Sequence, residues 1–113
     1  MKEDGFIVEG EDIASFLEEK LEILGLNDRE KEEFIIYWLP QLEKNKYNYI
    51  RFQTMEEIND NMELNIIPKP ETLIRIRMEF KPLKEKIKVK EQILQPVNRN
   101  GYTVVEWGGT NVD

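Results

Sequence analysis

Along the first part of the chain apolar residues recur every three or four positions, and along the second part they recur every two. Ile13, Phe16, Leu17, Leu21 and Leu24 fall on one face of a predicted helix, with Glu18, Glu19 and Glu22 pointing away. Asp12 is the expected N-cap, and Gly25 the expected C′ residue, because glycine accepts the left-handed conformation that ends a helix. Asn27, followed three places later by Glu30, is a capping-box variant that opens a second helix. Phe34, Ile35, Trp38, Leu39 and Leu42 form its apolar stripe. Pro40 lacks an N–H and clashes with the preceding turn, so a bend or break is expected between Tyr37 and Pro40. Two helices joined this tightly form a hairpin whose shared apolar seam must cover a further layer.

From Tyr49 the period becomes two, with Ile50 and Phe52 alternating against Arg51 and Gln53. Thr54 and Glu57 are expected to cap a single helical turn through Ile58, and Asn59 to Asn61 read as a turn. Leu64 to Ile67 predict a short strand, stopped by Pro68 and Pro70, with residues 68–71 a loop. The clearest strand signal is Thr72 to Lys81, where Ile74, Ile76, Met78 and Phe80 alternate with Arg75, Arg77, Glu79 and Lys81. Pro82 is expected to end it. Lys84 to Lys86 read as a turn, and Ile87, Val89 and the Ile93–Leu94 pair as a partner strand. After the Asn100–Gly101 turn, Tyr102 to Trp107 form a last strand with Thr103, Val105 and Trp107 on one face, and Gly108 and Gly109 release the chain. Phe6 to Val8 form either a strand or an arm. The pattern predicts one α+β domain over residues 1–113, helical over about 11–44 and sheet over about 49–107. In it an N-terminal helical hairpin packs on a four- to five-stranded, mostly antiparallel sheet.

Composition narrows the chemistry more than it extends it. The chain carries −7 overall with a pI near 4.8. Residues 1–48 hold 13 acidic and 6 basic side chains, whereas residues 49–113 hold 10 of each. That balance argues against a generic nucleic-acid binder, whose affinity comes from phosphate neutralisation. No apolar run approaches the roughly 20 residues of a membrane helix, and residues 1–12 are too acidic for a signal peptide. The absence of cysteine excludes a disulfide framework and zinc fingers without fixing the compartment. The absence of histidine excludes histidine-based catalytic triads, and Ser15, the one serine, has no nucleophile-elbow glycines around it. Zinc and redox metals lack their usual ligands, and no cofactor is expected. Asn59, Asp60, Asn61 and Glu63 gather oxygen donors, yet the glycine and glutamate of a calcium-binding EF-hand loop are out of register, so a polar turn is the better reading.

One enzymatic option survives this filter, a carboxylate pair acting on a glycosidic bond. Glu106, directly before Trp107 and two glycines, is the candidate, with Glu79 or Glu91 as its second. The competing reading makes Glu106 the solvent-facing residue of an alternating strand, and a domain this small offers little room for a cleft. Tyr37, Trp38, Tyr47, Tyr49, Tyr102 and Trp107 are candidates for an aromatic platform. Trp38 and Trp107 lie on apolar faces and read better as core, leaving Tyr47 and Tyr49 as the expected exposed pair near Pro40. Lys81, Lys84, Lys86, Lys88 and Lys90 suit an acidic polymer or anionic lipid heads, although alternating lysines also protect an edge strand from aggregation.

At Glu33 to Ile50 (EFIIYWLPQLEKNKYNYI) and Gly101 to Gly109 (GYTVVEWGG) the sequence resembles a family of uncharacterised bacterial proteins, largely of Firmicutes type. Ile67 to Pro70 (IPKP), Lys81 to Leu83 (KPL) and Glu91 to Gln92 (EQ) carry the same resemblance. The longer members look exported or surface-associated and carry an upstream KPVIYLYP segment. The resemblance implies no reaction. It implies that this chain corresponds to their C-terminal part and that Phe6 to Val8 continue a strand system from upstream. The leading expectation is a non-catalytic accessory or interaction domain, with an envelope glycan or protein as partner and no nucleic acid. The alternatives are a carboxylate-dependent hydrolase acting on cell-wall glycans and a structural domain that packs on the upstream segment.

Overall fold

The computed structural model describes residues 1–61 and 64–112. It is an α+β fold in which a helical hairpin covers one face of a five-stranded sheet of order β4-β1-β2-β3-β5. The first strand, β1 (Asp4–Glu9), precedes the hairpin, so Phe6 to Val8 are a sheet strand and not an arm. A 3-10 turn at Gly10–Asp12 leads into α1 (Ile13–Ile23), whose Ile13, Leu17 and Leu21 are completely buried. Asp12 stands at the N-cap position but makes no side-chain cap; instead the Ser15 hydroxyl donates to its carbonyl. The C-terminus follows expectation more closely. Gly25 takes a φ of 97°, its N–H reaches the Glu22 carbonyl, and the Leu26 N–H reaches Leu21, which satisfies the carbonyls a helix end leaves open.

The second helix, α2 (Asp28–Leu42), starts with the expected capping box: the Glu30 N–H donates to Asn27 Oδ1 at 2.9 Å and the Asn27 N–H to Glu30 Oε1 at 2.8 Å. Pro40 does not break it. The helix runs two residues further, because only the bond from residue 40 to the Ile36 carbonyl is lost, and Ile36 lies on the exposed side. Asn48 receives the helix end, donating from its amide to the Leu42 carbonyl at 2.9 Å while fully buried. The hairpin is also held by charge. Lys31, buried between the helices, places its ammonium 3.2 Å from Asp28, 3.4 Å from Glu18 and 3.8 Å from Glu22. The hydrogen bond to Asp28 leads the contributions that push its pKa up.

The centre of the sheet is antiparallel: β1 pairs with β2 (Tyr47–Phe52), and β2 with β3 (Thr72–Leu83). Both edges are parallel, β4 (Lys90–Glu91) along β1 and β5 (Thr103–Asn111) along β3. Four expectations about the strands change here. Residues 64–67 form no strand. β3 runs through Pro82 to Leu83. Lys84 to Val89 are an irregular crossover to the far edge, not a partner strand of β3, and only Lys90 and Glu91 join the sheet there. Gly108 and Gly109 do not release the chain but continue β5 to Asn111. Helix α3 (Met55–Asn61) replaces both the single turn and the Asn59–Asn61 turn, capped by reciprocal bonds between Thr54 and Glu57. Phe6, Val8, Ile50, Phe52, Ile74, Ile76, Met78 and Phe80 meet the hairpin in one apolar core.

Candidate functional site

The face of the sheet turned away from the hairpin is charged and nonetheless buried. Arg51, Arg75 and Glu79 are each 7% exposed or less. Arg51 is the hub: its Nε donates to Asp4 Oδ1 at 2.9 Å, its Nη atoms form a fork with Glu57 at 2.8 and 3.1 Å, and Glu79 lies 3.6 Å away. This fork, which α3 delivers through Glu57, holds the Glu57 carboxyl down at about 2. Gln53 donates to the other oxygen of Glu79 at 3.1 Å. Tyr49, beside this hub, is fully buried and donates its hydroxyl to the Asp4 carbonyl at 2.7 Å, and burial leads the effects that push its pKa up.

Glu106 sits on the same face. It accepts from Arg77 at 3.0 Å and from Arg75 at 3.4 Å, while Arg75 also donates to Asn59 of α3 at 3.3 Å. Both carboxylate oxygens are therefore engaged by guanidinium groups. The residues nominated as its second are not brought to it. Glu79 lies four residues along β3 from Arg75, the register partner of Glu106, which at strand rise is about 13 Å. Glu91 is on the opposite edge, four strands away, or about 19 Å. Paired glycosidase carboxylates work at roughly 5–9.5 Å. Of the oxygen-donor group, Asn59 and Asp60 lie in α3, and Glu63 and the Asn61 side chain fall outside the described residues.

The aromatic candidates divide differently from expectation. Tyr49 is buried, and Tyr47 is half-buried beside Lys46, whose ammonium stands 5.9 Å from its ring centre. Tyr37 and Tyr102 are the exposed ones. Trp107 packs edge-on against Phe34 and Tyr37 at 4.9 and 5.5 Å, with ring planes at 62°, so these rings form a cluster and not a flat platform. The two glycines after Trp107 have steric roles: a Cβ at Gly109 would come within 2.7 Å of Trp38, and one at Gly108 within 2.2 Å of Arg77. The dipeptide lets an indole lie on one side of β5 and a guanidinium on the other.

The lysine-rich segment lies elsewhere than expected. Lys86 to Val89 pass along the outside of β1 and, with Phe16 of α1, wall a groove of about 610 Å³ against residues 5–9. At its mouth Glu9 and Asp12 are exposed, with Glu11 beside them outside the groove; the three carboxylates lie within 4.8 Å of one another, and no ion pair engages them among the described residues. Periodicity could not reveal this groove, because it depends on where the ladder between β1 and β4 stops. It stops at Gln92, whose side-chain amide turns aside, accepting from the Phe52 N–H at 2.9 Å and donating to the Phe52 carbonyl at 2.6 Å. No helix of the described residues is long and apolar enough to cross a membrane. No family model, no curated protein and no solved structure matches this chain.

Proposed function

We propose that this domain is a non-catalytic interaction module of the bacterial cell envelope. The supporting observation is that Glu106 is consumed in ion pairs with Arg75 and Arg77, and Glu79 in an ion pair with Arg51 and a hydrogen bond from Gln53, while Glu91 lies on the opposite edge of the sheet. A general acid needs a carboxyl free to lose a proton into the substrate, and a second carboxylate within reach of the same bond. The sheet face supplies neither arrangement. What it presents instead is a rigid scaffold with an open groove along β1. The envelope setting rests on the resemblance to exported and surface-associated proteins. The test is reducing-sugar release from purified cell-wall polysaccharide. The expected result is release indistinguishable from a blank for the wild-type protein. Release that is abolished by Glu106→Gln, with folding intact by circular dichroism, would overturn the reading in favour of the wall-glycan hydrolase.

A further inference from the structure

We infer that the groove beside β1 takes an extended polypeptide segment of a partner protein, added as a strand to the open part of the sheet edge. This rests on the reading of the domain as an interaction module and names its partner class. The backbone alternation of β1 fixes which groups face the groove. The Lys90 N–H donates to the Glu3 carbonyl and the Gln92 N–H to the Gly5 carbonyl, so the odd-numbered residues of β1 turn their peptide groups to this edge and the even-numbered ones to β2. The ladder ends at Gly5 paired with Glu91. Ile7 consequently presents its N–H and C=O to the groove and Glu9 its N–H, while the Glu9 carbonyl is turned into the 3-10 turn it caps; no backbone partner from the crossover reaches these three groups among the described residues. Such a row of unpaired groups is a template for another strand.

The walls specify the occupant further. Phe16 from α1 and Ile87 and Val89 from the crossover give the groove apolar sides, which suit a segment with apolar residues at alternate positions. The crossover stands outside β1 as an outer wall, so the groove admits one extended chain and obstructs the flat edge of another sheet. From Gly5 to Glu9 the edge runs about 13 Å, which a segment of about five residues spans. Charge sets its orientation. The uncompensated carboxylates of Glu9 and Asp12 at one end, with Glu11 next to them, call for a lysine or arginine at the matching end of the segment. Elsewhere the walls carry the exposed Lys86 and Lys88 of the crossover and Lys20 of α1, which pairs with Glu19 at 3.1 Å, so the preference for a cation is local to that mouth.

The experiment is selection from a displayed library of random heptapeptides against the immobilised full chain, followed by titration of an enriched peptide by fluorescence anisotropy and by backbone amide shifts. The expected sequences alternate apolar residues and carry lysine or arginine at one end, with the largest amide shifts at Ile7 and Glu9. Combined Glu9→Lys and Asp12→Lys, both at exposed positions of the groove, should weaken binding about tenfold or more. N-methylation of alternate peptide nitrogens should abolish it while leaving the protein unchanged. Failure to enrich any sequence, shifts confined to another surface, or N-methylated peptides that bind equally well would overturn the inference. So would a dimer in which the Ile7 and Glu9 amides are already protected from exchange, since a second copy would then be the occupant. Sugar release would sink the interaction module itself, whereas absent peptide binding without sugar release would sink this inference alone.

Discussion

The two faces of the sheet are built from the same strands and are closed by opposite means. Toward the hairpin, β2 and β3 present Ile50, Phe52, Ile74, Ile76, Met78 and Phe80, and closure comes from apolar contact with Leu17, Phe34 and Trp38. Toward α3 they present Arg51, Arg75 and Glu79, which are nearly as well buried but closed by guanidinium–carboxylate pairs. The difference matters for function. An alternating strand with charges on one side ordinarily marks that side as wet and available. Here a helix of seven residues and the strands' own long side chains cover much of it, so the charges hold α3 and offer little to a ligand.

The largest effect should come from the apolar side. Phe34→Ala removes a fully buried ring against Trp38 and Trp107 and should cost about 3–5 kcal/mol in urea unfolding. On the charged side, Arg51→Ala leaves three carboxylates without their common cation and should cost about 3 kcal/mol. A cost under about 1 kcal/mol would break the comparison, because the ion pairs of Arg51 would then add little to what Ile58 and the Arg75–Asn59 bond already do for α3.

The pH dependence sharpens the same contrast. The carboxyl of Glu57 is depressed from 4.5 to about 2, so the folded state favours its ionised form more strongly than the unfolded state does. Its contribution is complete above pH 4.5 and is lost as pH falls from there toward 2. Unfolding free energies measured at pH 5, 4 and 3 should decline across that window, and Glu57→Gln should flatten much of the decline. Part of the slope should persist in that variant, because Arg99 holds the Glu30 carboxyl down on the hairpin side. The smallest effect is expected for Glu106→Gln. Its side chain is 25% exposed, and the loss should be about 1 kcal/mol or less in the same unfolding assay.

Much of this architecture was legible from spacing. Leu17 and Leu21 mark the buried stripe of α1, Asn27 with Glu30 opens α2, and Ile74 to Phe80 define β3, because in each case one face is buried and the local signal agrees with the tertiary demand. The misreadings share a cause. Lys86 to Val89 alternate like a strand, but the backbone beside them meets no ladder partner, and pairing is a tertiary property. Gly108 and Gly109 look like a terminator because glycine usually punctuates, whereas Trp38 and Arg77 require the space. Tyr49 does point to the polar side as alternation implies, yet that side is dry there. Glu106 was visible in the sequence as an outward-facing strand residue, while its two arginine partners depend on the parallel pairing of β3 with β5, which no local pattern announces.

Gln92 carries a consequence for the ageing of the protein. Its amide acts as a surrogate peptide unit, offering one acceptor and one donor to Phe52 in a buried position. Hydrolytic deamidation to glutamate would replace the donor by an oxygen and set it against the Phe52 carbonyl, turning an attraction into a repulsion at a site that excludes water. The strand end at Phe52 and the loop that follows β4 would loosen together. A mass change of about one dalton at one side chain would then act on the fold as the loss of a strand partner.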